Sequence, residues 1–343
     1  MIPHSRPVAE EDGIQAVVAA LRAGHLAQGE EVARLEEDLS AFFPGRHVVV
    51  VSSGTAALYL ALVAHGIGPR GRVVIPSYAC NSLYAAVSYT GAAPLCADSG
   101  EDSVNITPET VGAAGECDAV IVPHTFGYLA DIGHFMAAGR VVIEDCAQAF
   151  GKGPDGIWLG NAGDAAVLSF YATKLLPAGE GGACVLRRPE QADLIRRLRN
   201  ADEQQPHPRA FNFKMSDLCA ALARAQLKKL ERDLQAREHL ALRYDEAFGS
   251  SSHRVKTGQR QAVCFRYLIR AGPRAIDFMA RAESRGIRCR PAIWRPLHLT
   301  LGGSCPHAET LAQSLLSVPF YPGLAGEEVE KICGTLPELL RAG

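Results

Sequence analysis

The sequence predicts an α/β protein, with a mostly parallel seven-stranded sheet in a large domain and a smaller α/β domain after it. Three observations predict this. Seven short segments are apolar along their whole length, helical patterns separate the earlier ones, and the pattern changes after about residue 187. Strands that are apolar throughout belong to a sheet covered on both faces, and alternation with helices makes such a sheet mostly parallel. Its ligand site is expected beyond the carboxyl ends of the strands.

Two helices are expected first, over 14–43. Ile14, Val17, Val18 and Leu21 recur at helical spacing, as do Val32, Leu35, Leu39 and Phe42, with Gly24 and Gly29 between the two sets. The strands are expected at 47–52, 72–76, 93–98, 119–124, 140–146, 165–170 and 182–186, with helices at 55–65 and 81–90. A polar stretch at 200–208 leads into one long helical pattern over 215–248. A strand at 262–269, a helix at 274–285, a strand at 287–290 and helices at 308–317 and 326–341 complete the chain. The large domain is expected over 1–210 and the small one, with its linking helix, over 211–343.

With 343 residues the chain is long enough for two domains, and 48% hydrophobic with 21% charged residues is an ordinary globular mix. A formal net charge of -2 gives no basic field for nucleic acid. The clustered Arg196, Arg197 and Arg199 read as a solvated helix face. No apolar run is long enough to span a bilayer, and the polar, charged start is not a signal peptide. The 10 cysteines include no Cys-x-x-Cys pair and several sit in apolar runs, which suits buried reduced thiols of a cytosolic protein rather than disulfides or a metal site.

Two segments, 66–71 and 151–156, fit Gly-x-Gly-x-x-Gly. The first follows a helix and precedes a strand, the reverse of a dinucleotide site. The second has no helix behind it and Pro154 inside it, so both read as loops.

Four other segments carry candidate chemistry. In Ser52-Ser53-Gly54-Thr55 a strand turns directly into a helix, whose first amides form either a phosphate site or an ordinary N-cap. Ile143-Glu144-Asp145-Cys146-Ala147-Gln148 puts an acid at the end of a buried strand. Asp145 there either meets a positive partner, such as a protonated pyridine nitrogen, or caps a helix. Ser169-Phe170-Tyr171-Ala172-Thr173-Lys174 places a lysine just past a strand and before Gly179-Glu180-Gly181-Gly182. Partial burial would make its amine nucleophilic, and the bland alternative is an exposed loop lysine. Phe211-Asn212-Phe213-Lys214 by itself says only that a helix begins.

Taken together and in this order, these segments resemble the DegT/DnrJ/EryC1/StrS family of sugar aminotransferases. The resemblance runs over about 16–330 and is most specific at 51–58, 143–151, 169–182 and 212–230. It implies the type I fold of pyridoxal-phosphate (PLP) transferases. It implies that Lys174 holds PLP as a Schiff base and serves as the general base. It also implies that Asp145 pairs with the pyridine nitrogen, that Gln148 binds the ring hydroxyl, and that Gly54, Thr55 and Ser169 bind the phosphate. Asn212 would reach the phosphate of a neighbouring subunit, which makes the expected assembly a homodimer with shared active sites. The implied reaction takes an amino group from an amino acid, with glutamate the expected donor, to a keto sugar, in the first instance a nucleotide-linked one. Relatives with histidine in place of this lysine are dehydratases, so Lys174 favours transamination.

The chain departs from the family pattern in three places. Pro76-Ser77-Tyr78-Ala79-Cys80 puts Cys80 where an aromatic residue usually stacks on the cofactor ring. Cys264-Phe265-Arg266-Tyr267 lacks the histidines often found there, and the chain is short around 250–261. Trp294-Arg295-Pro296-Leu297-His298 resembles the substrate loop, where Arg295 and His298 either touch substrate or pack. These departures keep open a keto-cyclitol or a non-sugar ketone as acceptor, another PLP reaction on the same scaffold, and a non-catalytic regulator.

Overall fold

The computed structural model describes residues 1–202, 207, 209–259 and 261–342. The polar stretch at 200–208 and the short region at 250–261 therefore fall partly outside the described residues.

Fourteen α-helices are formed by the described residues: α1 (Glu11–Arg22), α2 (Glu30–Ser40), α3 (Gly54–Ala64), α4 (Asn81–Thr90), α5 (Pro108–Ala114), α6 (Ile132–Met136), α7 (Pro189–Arg199), α8 (Asp217–Leu227), α9 (Leu230–Phe248), α10 (His253–Thr257), α11 (Ala275–Ser284), α12 (His298–Leu301), α13 (Pro306–Ser314) and α14 (Gly326–Arg341). None is long and apolar enough to cross a membrane.

The seven expected strands make one sheet: β1 (His47–Val51), β2 (Arg72–Pro76), β3 (Ala93–Ala97), β4 (Ala119–Pro123), β5 (Val141–Asp145), β6 (Ala165–Ser169) and β7 (Gly182–Leu186). They lie in the order β1-β7-β6-β5-β4-β2-β3. The β2–β3, β2–β4, β4–β5 and β5–β6 pairs are parallel, and β7 runs antiparallel to both β1 and β6.

Both faces of the sheet are buried, which is why its strands show no polar alternation. Val48 and Val50 pack with Leu35 and Leu39 of α2 on one face. Val49 and Val51 pack with Leu60 and Leu62 of α3 on the other.

A second, three-stranded sheet of β8 (Leu268–Arg270), β9 (Arg290–Pro291) and β10 (Leu315–Ser317) is antiparallel, in the order β8-β10-β9. Its core joins Tyr244, Tyr267, Phe278, Phe320 and Ile332, and Ile2 from the other end of the chain packs there too.

The structure corrects four expected elements. The long helix over 215–248 breaks into α8 and α9 at Lys228 and Lys229. Its first part packs on α1 and α2 while its second belongs to the Tyr244 cluster, and one straight helix cannot serve both. The strand over 262–269 shrinks to Leu268–Arg270, because Ala262 donates to Gly127 O and Phe265 turns back on Val263 O. The helix over 308–317 stops at Ser314, and its last residues pair in β10. The strand over 287–290 is split: Ile287 forms only an isolated parallel bridge to Ile2, and pairing with β10 begins at Arg290.

Asp217 ties the two ends of the large body together. Fully buried at the start of α8, it accepts N–H bonds from Gly29 (2.7 Å) and Val32 (3.2 Å) through Oδ1 and from Glu31 (3.3 Å) through Oδ2. It thus caps α2, whose own N-cap residue is glycine. Asp217→Ala orphans these amides. It is expected to lower stability by about 3 kcal/mol, read as a reduced urea midpoint with unchanged slope.

Candidate active site

The carboxyl ends of β1, β5 and β6, with the loop after β6, surround a cavity of about 410 Å³. Gly54, Thr55, Cys80, Asp145, Gln148, Ser169 and Lys174 all line it. Residues far apart in the chain meet there because each ends a strand of the same sheet or directly follows one.

The helix start of α3 forms one wall. Ser53 Oγ accepts from Ala56 N–H at 3.1 Å, and Ser53 O accepts from Ala57 N–H at 3.0 Å. The first amides, those of Gly54 and Thr55, remain for an anion. The backbone comes so close to β6 here that a Cβ on Gly54 would lie 2.9 Å from Ser169 Cβ. Glycine keeps the cradle open and leaves the Ser169 hydroxyl at its edge. Free amides at a helix start beside a hydroxyl are the donors an anion such as phosphate requires.

Asp145 ends β5 and is buried. Its Oδ1 accepts from Ala147 N–H at 2.9 Å, and among the described residues Oδ2 has no donor. Burial raises its pKa, while the Ala147 N–H and the nearby Lys174 pull it down. An acid so placed keeps one oxygen free for a positively charged partner. Gln148 Oε1 accepts from Phe126 N–H at 2.8 Å, which leaves its amide N–H groups to donate.

Lys174 sits in a loop closed by the bonds Lys174 N–H to Tyr171 O (2.8 Å), Ala172 N–H to Gly179 O (3.0 Å) and Ala178 N–H to Phe170 O (2.8 Å). The residue is half-buried, and its amine lies 5.3 Å from the centre of the Phe265 ring, without a hydrogen-bonding partner among the described residues. Burial lowers its pKa and Arg266 lowers it further, while Cys80 and Asp145 oppose the shift. An uncharged, unpaired amine is therefore available below the pH at which free lysine provides one.

The remaining expected residues lie at the rim of the cavity or outside it. Cys80 is exposed at the mouth of the cavity. Asn212 is exposed on a segment held to the end of α7 and does not line the cavity of its own chain. Arg295 is exposed and donates to Leu299 O at 3.0 Å. His298 is buried between Ser77 Oγ (2.6 Å) and Glu309 Oε1 (3.1 Å) and lines no part of the cavity.

Among the lining residues that the sequence reading did not single out are Phe126, Phe265 and Arg266. Phe126 follows β4 with φ of 57°, a left-handed conformation that costs a non-glycine residue energy. That turn presents its N–H to Gln148. Its place three residues past Pro123, which pairs with Asp145 at the strand ends, was the available signal. Phe265 and Arg266 come from the segment noted only for its missing histidines.

His124, Glu144 and Cys146 lie within ligand reach of one another. Their work is structural. Glu144 accepts from Gly160 (2.7 Å), Ala162 (3.1 Å) and Gly163 (3.0 Å) amides and pairs with His124 Nε2 (3.1 Å). His124 Nδ1 takes the Ala130 N–H at 3.0 Å.

The description "DegT/DnrJ/EryC1/StrS aminotransferase family" belongs to a family model that matches residues 7–337. This chain belongs to that family. The match is slightly wider than the 16–330 expected from the motifs. The spore coat polysaccharide biosynthesis protein SpsC of Bacillus subtilis is 30% identical, over 99% of this chain and 97% of its own. A GDP-perosamine synthase of Caulobacter vibrioides is 27% identical over 91% of each. The crystal structure of the aminotransferase TlmJ from Streptoalloteichus hindustanus superposes with a TM-score of 0.92 at 28% identity, covering 100% of this chain and 99% of that one. The chain is thus an aminotransferase of the DegT/DnrJ/EryC1/StrS group.

Proposed function

We propose that the chain moves an amino group from an amino acid, glutamate in the first instance, to the carbonyl of a keto sugar, most simply a nucleotide-linked one, using PLP bound in the 410 Å³ cavity. One observation carries this reading. An unpaired lysine amine, a buried acid with a spare oxygen and a helix N-terminus converge on the same cavity.

When bound, PLP supplies an electron sink for the carbanion at the donor's α-carbon. The chain's residues do the rest. The amides of Gly54 and Thr55, with the Ser169 hydroxyl, hold the phosphate. Asp145 keeps the proton on the pyridine nitrogen. Gln148 donates to the ring hydroxyl through the amide that its bond with Phe126 leaves free. Lys174 would hold the cofactor, and its free amine would take the proton from the donor's α-carbon and in the second half deliver one to the acceptor carbon that receives the amino group. Asn212, exposed and outside the lining of its own chain's cavity, is the residue proposed to reach a partner's phosphate in a homodimer. Arg295 remains a candidate contact for the acceptor. The family membership and the relatives' names support sugar over other ketones. Assaying nucleotide-linked keto sugars and free keto-cyclitols in parallel, with glutamate as donor, tests this. Amination confined to the cyclitols would replace the sugar reading.

Cys80 gives a further check. It lies where the resemblance places a ring-stacking aromatic, and a thiol offers less area to a ring. Cys80→Phe is expected to tighten PLP binding by about 2- to 10-fold, measured by fluorescence titration of the cofactor-free protein. Unchanged or weaker binding would remove Cys80 from the ring face.

A further inference from the structure

Lys174 is approached from two sides. Besides the cavity described above, a second one of about 350 Å³ opens toward the small domain and the N-terminal segment, and Thr173, Lys174, Phe265 and Arg266 line both. The second cavity is rich in cations, and most are committed. Arg6 pairs with Glu328 at 3.1 Å, and Arg232 pairs with Glu10 at 2.5 Å and Asp233 at 2.9 Å. Arg237 spends Nη1 on the carbonyls of Cys264 (3.4 Å), Phe265 (3.2 Å) and Phe320 (3.5 Å), which fixes the backbone that presents Arg266.

Arg266 is different. Its Nη1 lies 3.0 Å and 3.1 Å from the two ring nitrogens of His4 and 3.1 Å from Ser5 Oγ, and among the described residues it meets no acid. His4 cannot supply charge. Burial, then Arg266 and Arg290, bring its pKa down to about 3, so it is neutral at pH 7. Burial lowers Arg266 itself only to about 10, so the guanidinium stays charged. The Arg266 Cζ lies 5.2 Å from the centre of the Phe265 ring, the same ring that Lys174 Nζ faces at 5.3 Å. A largely buried cation with only neutral partners is stabilised when an anion arrives, and a guanidinium fork matches a carboxylate.

We infer that Arg266 anchors a carboxylate of the amino donor, displacing His4 and holding the donor amine at the position of the Lys174 amine. The inference rests on the aminotransferase reading. It has a consequence for the base. Arg266 depresses the Lys174 pKa, so a carboxylate bound to Arg266 raises the basicity of Lys174 when a donor is present.

The test is a donor titration of the PLP-loaded enzyme, followed by bleaching of its visible band. Arg266→Gln is expected to raise the half-saturating L-glutamate concentration about 10- to 100-fold and to leave the acceptor KM within about threefold. Arg266→Lys is expected to fall between the two. L-2-aminobutyrate, which keeps only the α-carboxylate, and 4-aminobutyrate, which keeps only the distal one, show which carboxylate is held. The donor whose titration still shifts in Arg266→Gln carries it. Glutarate, which has no amine, gives a readout independent of turnover. It should protect the wild type against thermal unfolding and fail to protect Arg266→Gln. Should that variant not fold, the wild-type and Arg266→Lys titrations with glutarate decide. Unshifted glutamate titration, a shift confined to the acceptor, or absence of glutarate protection in the wild type overturns the assignment. A wild type that no amino donor bleaches overturns the aminotransferase reading itself, and this inference with it.

Discussion

Lys174→Ala is expected to abolish turnover, by at least ~10⁴-fold, without loss of the fold. The substitution removes both proposed roles together, the covalent hold on the cofactor and the base that moves the proton. No other amine lines both cavities beside the Phe265 ring among the described residues. The fold should survive because the lysine contributes an unpaired, partly desolvated amine rather than an ion pair, so its removal relieves a cost. A thermal melt of the variant should therefore match or exceed that of the wild type. Turnover in the variant above a hundredth of the wild-type rate would contradict the assigned role.

Asp145→Asn is expected to lower kcat about 10²- to 10³-fold and to weaken cofactor binding. The amide oxygen of asparagine can still accept the Ala147 N–H, so the geometry of the β5 end is preserved and only the charge is lost. Breaking a buried charge pair from one side costs about 3–5 kcal/mol, which sets the scale of the effect. The measurement is single-turnover bleaching by glutamate at saturating PLP, beside a cofactor titration. A variant within tenfold of wild type would show that Asp145 serves as a turn-capping residue and nothing more.

Much of this was legible in the sequence, for physical reasons that differ by element. The sheet was readable because both of its faces are covered. Runs such as His47–Val51 and Ala119–Pro123 bury nearly every residue, and a run of valines bounded by glycine and polar residues leaves little choice of structure. Asp145 was readable because an acid ending such a run demands a partner. The break between α8 and α9 was not readable. Lys228 and Lys229 are good helix formers with no glycine or proline between them, and the interruption is imposed by packing against α1 and α2. In the Ser77–His298–Glu309 chain the Ser77–His298 bond alone spans 221 positions, and no local pattern encodes it. Phe126 adopts a left-handed backbone that its residue type disfavours, so propensity points away from it. The position of Arg266 among neutral partners exists only once His4 and Ser5 fold across it.

Lys174 is the proposed carrier of the cofactor in an amino-acid-dependent transamination. The most direct test is the absorption spectrum of the purified protein before and after L-glutamate, followed by borohydride reduction and peptide mapping. A yellow protein that bleaches with glutamate, and whose reduced cofactor adduct maps to the peptide containing Lys174, is the predicted result. A protein that cannot be loaded with PLP, or one whose adduct maps to another lysine, would contradict it.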